Sequence, residues 1–203
     1  MRETKVKRLS GSRIPFLIVA LLFAKVGANA EEHRLVLLAN PADGPSSCWH
    51  AVTHYNRGLD LQLKGDLEGA ITEYRISIAQ CSTFWRPVYN LGTVLQAKGD
   101  LEGAIAQYRT AISEWPNIWQ AHFALGSIFE DRGDLEGAIA EYRAVIKRRK
   151  KYPEAHYRLG RALQAKGDLE EAIAEYRTAI SQQPDYPEAQ FAIAEALKVR
   201  GKS

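Results

Sequence analysis

The sequence predicts an all-α solenoid in which one antiparallel pair of helices is repeated along the chain. The heptapeptide GDLEGAI occurs three times and returns once as GDLEEAI, and each copy begins 34 residues after the previous one. Each copy lies beside two amphipathic segments of about a dozen residues, which is the length of an ordinary helix. A unit of this size cannot bury its apolar face alone, so the copies must stack on one another.

Each unit is predicted to contain a helix A before the GD pair and a helix B after it. In the first unit, helix B places five apolar residues on one face at the spacing i, i+3, i+4, i+7 and i+11, which is typical of an amphipathic helix. These residues are Leu67, Ala70, Ile71, Tyr74 and Ile78.

The ends of the helices carry residues that start and stop helices. The glycine of each GD pair suits a left-handed cap at the end of helix A, and the aspartate after it is placed to accept a backbone N–H bond from helix B. In the fourth unit, Glu171 is expected to complete a capping box with Asp168. Pro87, Pro153 and Pro187 open helix A, where the missing N–H of proline costs nothing.

The repeat resembles the tetratricopeptide repeat (TPR), whose signature reads W-x2-L-G-x2-Y, then A-x3-F, then P, over 34 residues. The small residue of helix A is glycine in all four copies, and helix B carries the expected small residue and aromatic residue as alanine and tyrosine. They are Gly58, Gly92, Gly126 and Gly160, then Ala70, Ala104, Ala138 and Ala172, and Tyr74, Tyr108, Tyr142 and Tyr176.

The resemblance divides the chain into segments. A TPR array is expected over 48–203, with repeats at about 51–84, 85–118, 119–152 and 153–186 and a terminal helix at 187–200. It implies a TPR solenoid of antiparallel helix pairs wound into a right-handed superhelix, with helix A lining the concave face.

The amino-terminal segment 1–30 has the three parts of a cleavable secretory signal. Met1–Arg13 is basic, the apolar run Ile14–Ala24 follows, and Ala-Asn-Ala at Ala28–Ala30 precedes Glu31. A membrane anchor is the alternative, but this run is well short of the roughly 20 apolar residues that span a bilayer. We therefore expect an exported protein of bacterial type, periplasmic or secreted, with no stable membrane insertion after cleavage.

Cleavage would also change the charge of the protein. Segment 1–30 contains six Lys or Arg residues and one Glu, so its removal lowers the formal net charge from +3 to −2. The basic pI therefore belongs mostly to the signal, and a nucleic-acid partner is not expected. Segment 31–47, which contains Pro and Gly, is predicted to be an arm or linker before the repeats.

The chain has two cysteines, Cys48 at the start of the first helix A and Cys81 at the end of the first helix B. Because the two helices are antiparallel, these ends lie side by side. In an oxidising compartment, a Cys48–Cys81 disulfide closing a loop of about 33 residues is favoured over two separate buried thiols.

The sequence contains no pattern that supports catalysis. A nucleophile elbow, a P-loop and a dinucleotide fingerprint are all absent. His50 and His54 share a helix face at i, i+4 spacing, but a third metal ligand is missing nearby. Histidine recurs at the position of His54 as His122 and His156, which favours a packing role. We therefore expect no enzymatic activity, no cofactor and no metal.

A compact basic run separates the third repeat from the fourth and consists of Lys147, Arg148, Arg149, Lys150 and Lys151. Such a run is usually a solvated loop. The functional alternative is an anion-binding loop for phospholipid headgroups or an acidic protein.

The face of helix A that TPR proteins use for ligands is the candidate binding site. An aromatic residue stands at the fifth position of each helix A, and the residues beside it differ between copies. The predicted peptide-binding groove comprises Tyr55, Asn56, Tyr89, Asn90, Thr93, Phe123, Ser127, Tyr157, Arg158 and Arg161. Aromatic rings give contact area at low entropy cost, Asn amides can hold an extended backbone, and paired Arg suits a carboxylate.

The expected function is a non-catalytic protein–protein interaction module or scaffold of the cell envelope. It would bind a protein or peptide partner, as an extended peptide or a helix, in the concave groove. The alternative is a structural repeat protein that self-associates in an envelope assembly without a dedicated groove ligand. The divergent groove residues favour the first function, and the near-identical helix B faces leave the second open.

Overall fold

A computed structural model of the protein describes residues 48–201, so the predicted signal at 1–30 and linker at 31–47 lie outside the described residues. The described part of the chain is a series of nine α-helices without a strand. They are α1 Trp49–Leu63, α2 Leu67–Gln80, α3 Trp85–Ala97, α4 Leu101–Glu114, α5 Trp119–Asp131, α6 Leu135–Arg148, α7 Pro153–Lys166, α8 Leu169–Gln182 and α9 Pro187–Arg200. Each helix contacts the next one. The predicted all-α solenoid is confirmed, and none of these helices is both long and apolar enough to cross a bilayer.

Each turn from helix A to helix B contains a glycine in the left-handed backbone region, as predicted. Gly65, Gly99, Gly133 and Gly167 have φ angles of 81°, 85°, 76° and 101°. After the first three glycines, the aspartate carboxylate accepts a 2.9 Å hydrogen bond from the backbone N–H three residues further on. This bond satisfies one of the donors left open at the start of helix B.

The predicted capping box between Asp168 and Glu171 is wrong. The backbone N–H of Asp168 donates to the carbonyl of Leu163 at 2.9 Å, so it is not available to the Glu171 carboxylate. The Asp168 side chain makes no capping bond and instead pairs with Lys166 at 3.3 Å. In the first three repeats, the position of Glu171 is occupied by glycine. A Cβ added to any of these glycines would come within 2.6 Å of the capping carboxylate. The Cβ of Glu171 therefore explains why Asp168 gives up the cap.

A glycine–tyrosine contact joins helix A to helix B in every repeat. A Cβ added at Gly126 would lie 2.7 Å from Cε1 of Tyr142, and the same contact recurs between the other three glycines and tyrosines at 2.5–2.6 Å. The four tyrosines are at most 1% exposed. Each hydroxyl nevertheless has a partner, because it donates to the side chain twelve residues earlier, at 2.7–3.0 Å. The absence of a side chain on helix A is therefore what admits the ring.

Ion pairs link the outer edges of neighbouring repeats. From α3 onward, the basic residue at or just after the end of each helix A pairs with the glutamate at the second position of the preceding helix B. The pairs are Lys98–Glu68, Arg132–Glu102 at 2.7 Å, Lys166–Glu136 at 2.9 Å and Arg200–Glu170 at 3.3 Å. These glutamates are 74–80% exposed, so each pair contributes little stability alone. They do favour one register between repeats.

The first hairpin is closed by a disulfide between Cys48 and Cys81, whose Cα atoms are 5.4 Å apart. Both residues are buried beside Ala51 and Phe84. Ser77, which is fully buried, donates a 2.6 Å hydrogen bond to the carbonyl of Ala51. The disulfide therefore joins the start of α1 to the end of α2, as predicted from the antiparallel arrangement.

The glycine–tyrosine contact can be tested at Gly126. A Gly126→Leu substitution should lower the free energy of unfolding by about 1–3 kcal/mol, because the larger side chain overpacks the contact with Tyr142. Urea denaturation followed by circular dichroism measures the change. The matched control is Ala140→Leu at an exposed position of α6, where we expect a change of less than about 0.5 kcal/mol. Equal stability of the Gly126→Leu variant and the parent would contradict the contact.

Candidate functional site

The candidate site is the helix A face, which we define as the fifth, sixth, ninth and twelfth residues of each repeat, counted from Ala51, Trp85, Trp119 and Pro153. An aromatic residue at the fifth position rests on the buried tyrosine of the same repeat. The ring centroids are separated by 6.0 Å for Tyr55–Tyr74, 5.7 Å for Tyr89–Tyr108, 5.6 Å for Phe123–Tyr142 and 6.0 Å for Tyr157–Tyr176. The tyrosines of helix B thus support the aromatic residues of the face.

The exposure of these aromatic residues changes along the array. Tyr55 is fully buried, because Phe84 covers it at a centroid distance of 5.0 Å. Tyr89, Phe123 and Tyr157 are half-buried, and Phe191 in α9 is 71% exposed. Tyr55 therefore offers no surface to a ligand, although the sequence placed it in the groove. The next three rings keep part of their surface accessible.

The two predicted asparagines lie in different environments. Asn90 is buried, and its amide nitrogen donates to the hydroxyl of Tyr55 at 3.3 Å. The predicted role of Asn90 in holding a peptide backbone is not supported, since its amide binds inside the protein. Asn56 is exposed. Burial is also the main reason that the pKa of Tyr55 is raised well above its ordinary value.

The ninth position carries hydroxyls in the second and third repeats. The hydroxyl of Thr93 donates to the carbonyl of Asn90 at 2.7 Å, whereas Ser127 is half-buried. Both side chains are shorter than Leu59 and Arg161, which stand at the same position in the first and fourth repeats.

Arg158 and Arg161 on α7 are brought together with Glu130 on α5. The carboxylate of Glu130 lies 3.6 Å from Arg158 and 3.3 Å from Arg161. Glu130 also accepts a 2.8 Å hydrogen bond from the hydroxyl of Tyr142. Arg158 donates from Nε to Glu154 at 2.9 Å, and Glu154 accepts a further bond from Tyr186. The predicted arginine pair therefore already binds two carboxylates of the protein itself.

Sequence reasoning missed Glu130, although a signal for it exists. The same repeat position is occupied by Gln62, Gln96 and Gln164 in the other complete repeats, and each accepts the same tyrosine hydroxyl bond. A carboxylate at this one position needs a nearby cation, because it is only 11% exposed. Burial alone would lower the pKa of Arg158, but the hydrogen bond and charge of Glu154 outweigh it and raise the pKa further.

The basic run between repeats 3 and 4 is only partly available to a partner. Arg148 donates from Nε to the carbonyl of Pro116 at 2.5 Å, which ties the end of α6 to the loop between α4 and α5. The guanidinium of Arg149 lies over the rings of Trp119 and Tyr152, at 4.5 and 4.9 Å. The remaining members, Lys147, Lys150 and Lys151, are exposed.

Comparison with known proteins gives the family. Models of the tetratricopeptide repeat match residues 89–156 and 129–196, and the two matches together cover more than half of the chain. The chain belongs to the tetratricopeptide repeat family. As a TPR protein it is a protein–protein interaction module whose partners are proteins or peptides.

Solved structures of TPR proteins are similar to this chain. A crystal structure of MamA has a TM-score of 0.69 at 24% identity and covers 75% of this chain and 83% of its own. Residues 41 to the end of MamA from Desulfovibrio magneticus RS-1 give a TM-score of 0.69 at 20% identity, covering 76% and 86%. These likenesses show the TPR fold.

YrrB is another similar solved structure, described as a TPR protein with an unusual peptide-binding site. Its TM-score is 0.61 at 25% identity, and the match covers 70% of this chain and 73% of YrrB. No curated protein sequence matches the chain.

The histidines of this TPR array pair with carboxylates. His54, His122 and His156 on helix A each place Nδ1 2.6 Å from the glutamate nineteen residues later on helix B. In the second repeat, Val88 and Gln107 replace the histidine and the glutamate together. Among residues 48–201, no group of three or more His, Cys, Asp or Glu could hold a metal ion. The contacts therefore join helix A to helix B.

The pKa of His156 is raised above its ordinary value. Burial alone would lower its pKa, but the hydrogen bond from Nδ1 to Glu175, the contact of Nε2 with the carbonyl of Lys150 and the charge of Glu175 outweigh burial and raise it. Acceptors on both ring nitrogens favour the doubly protonated ring.

This pair should make stability depend on pH. Since the folded pKa of His156 is raised above the unfolded value of about 6.5, its contribution is complete below about pH 6.5 and is lost as the pH rises through the folded pKa. The control is the double variant His156→Val, Glu175→Gln, which copies the second repeat. The difference in free energy of unfolding between parent and variant, from urea titrations between about pH 5 and 9, should shrink as the pH rises. A difference that grows with pH would contradict the pairing.

Proposed function

We propose that this TPR protein is an exported, non-catalytic interaction module that binds an extended peptide or a partner helix in the groove formed by its helix A face. One observation carries the proposal. The residues shared by all copies serve the turns and the glycine–tyrosine contacts, whereas the copies differ on the helix A face. Half-buried aromatic residues there, namely Tyr89, Phe123 and Tyr157, provide contact area beside polar residues that vary.

The family and one solved relative support this proposal. TPR proteins bind protein or peptide partners, and YrrB, at 25% identity, is described as having a peptide-binding site. Its match covers 70% of this chain. The ninth position of the two central repeats carries short hydroxyl residues, Thr93 and Ser127, where the first and fourth repeats have Leu59 and Arg161.

Export to the periplasm or the medium is supported by two independent features. Segment 1–30 has the order of a cleavable signal, with a basic part, an apolar run and Ala-Asn-Ala before Glu31. The Cys48–Cys81 disulfide fits an oxidising compartment, because cytosolic thiols are kept reduced.

Mass spectrometry of the protein from its native host tests export. The intact chain should begin at Glu31, and Cys48 and Cys81 should resist alkylation until a reductant is added. The same protein produced in the cytosol of an export-deficient strain is the control, in which both thiols should react directly. A chain that retains Met1 and free thiols in the native host would contradict export.

Peptide binding in the groove is tested at Tyr89. The wild-type protein without residues 1–30 is used to capture partners from envelope extract, and affinity for the captured partner is then measured by calorimetry. Tyr89→Ala should weaken binding by about 2 kcal/mol or more, because truncating a central aromatic contact removes buried apolar area. The control is Arg109→Ala at an exposed position of helix B, where affinity should be unchanged. A folded Tyr89→Ala variant that binds like the parent would exclude this groove.

A further inference from the structure

Charged residues enter the helix A face at one place in the four complete repeats. The other repeats have glutamine at the position of Glu130, and neutral residues at the positions of Arg158 and Arg161. The neutral residues are Asn56, Asn90 and Ala124 at the sixth position, and Leu59, Thr93 and Ser127 at the ninth. The three departures lie in two successive repeats, and their side chains meet within 3.6 Å. Glu130, Arg158 and Arg161 therefore form one charged cluster on this face.

The two arginines of this charged cluster are not equivalent. Arg158 is 30% exposed and is held between Glu154 and Glu130. Arg161 is 46% exposed, and among residues 48–201 its ion-pair partner is Glu130 alone, at 3.3 Å. Its guanidinium also lies 5.9 Å from the centre of the Tyr157 ring. A guanidinium has five N–H donors in a rigid fork, so Arg161 can bind a second anion while it stays paired with Glu130.

We propose that Arg161 binds a carboxylate of the peptide ligand, and that Glu130 competes with the ligand for Arg161 and so weakens that contact. The inference rests on the proposed function, and it names the ligand chemistry of the groove. The carboxylate belongs either to an Asp or Glu side chain or to the carboxyl terminus of the peptide. Tyr157, which is half-buried beside Arg161, provides apolar contact for the neighbouring ligand residue.

The net charge of the cluster favours a carboxylate over a phosphate as its ligand. Glu130 and Glu154 together balance Arg158 and Arg161, so the cluster has no net charge before a ligand binds. A single negative charge facing the fork of Arg161 is compatible with this balance. A doubly charged phosphate would be repelled by the two glutamates at close range. The planar carboxylate also matches the geometry of the guanidinium.

The test uses short random peptides on beads in two libraries. One library is attached through the carboxyl terminus, so that acidic side chains are its carboxylates, and the other through the amino terminus, so that each peptide also ends in a free carboxylate. The parent is compared with Arg161→Ser, which copies Ser127, and with Arg177→Ser, a matched control on the exposed side of α8. A fourth protein carries Glu130→Gln, which copies the other repeats.

The parent should select Asp or Glu at one position in the first library, or a free carboxyl terminus in the second. The library in which selection occurs shows whether the bound carboxylate comes from a side chain or from the carboxyl terminus. Arg161→Ser should lose this selection and bind a selected peptide about tenfold more weakly or worse, because a charge-assisted contact is removed. Arg177→Ser should behave like the parent. Glu130→Gln should bind the same peptide about two- to fivefold more tightly, because Arg161 is no longer shared.

Each contrary outcome has a distinct meaning. If the parent selects no peptide in either library, the proposed function fails and this inference fails with it. If peptides are selected but Arg161→Ser keeps the same preference for a carboxylate, the inference is overturned while groove binding stands. If Arg161→Ser does not fold by circular dichroism, Glu130→Gln decides. Unchanged or weaker binding by that variant overturns the inference.

Discussion

The contact on which the rest of the molecule depends is the one between the glycine of helix A and the tyrosine of helix B. A Cβ at any of the four glycines would lie within 2.7 Å of a ring atom, so the two helices can approach only because the side chain is absent. The ring fills the space, and its hydroxyl is bonded to the twelfth residue of helix A. One contact therefore sets the spacing of each hairpin, buries a large aromatic surface and leaves no hydroxyl unpaired in these rings.

The same contact supports the helix A face. The aromatic residue at its fifth position rests on the buried tyrosine, at centroid distances of 5.6–6.0 Å. The glutamine or glutamate at its twelfth position is fixed by the tyrosine hydroxyl. The sixth and ninth positions lie outside the glycine–tyrosine contact itself, although Asn90, Arg158 and Arg161 bind other residues of the face. They can change between repeats without disturbing the hairpin, which is why Asn, Ala and Arg are all found at the sixth position. Recognition can thus vary while each repeat keeps the same interface with its neighbours.

The elements that could be predicted from sequence are those that every repeat shares. The 34-residue period placed the glycine turns and the buried tyrosines, and the antiparallel pair placed Cys48 beside Cys81. What sequence did not predict depends on a neighbour in space. Tyr55 is buried because Phe84, the residue just before α3, covers it, and Asn90 is buried because it reaches back to the hydroxyl of Tyr55. A helical pattern shows which face a residue lies on, but it does not show what the next repeat places above it.

Glu130 shows how one substitution in a repeat protein forces others nearby. Gln and Glu can both accept the tyrosine hydroxyl, but only Glu brings a charge to a position that is 11% exposed. An unpaired carboxylate there would be costly, and the helix A face of the next repeat provides its cations. The arginines are in turn held in place by the carboxylate, so a flexible side chain such as that of Arg161 is ordered before any ligand arrives. A ligand that reaches Arg161 must share its guanidinium with Glu130. Glu130 accepts the hydrogen bond of the buried Tyr142 hydroxyl, and by binding Arg158 and Arg161 it also determines which charged groups a partner meets.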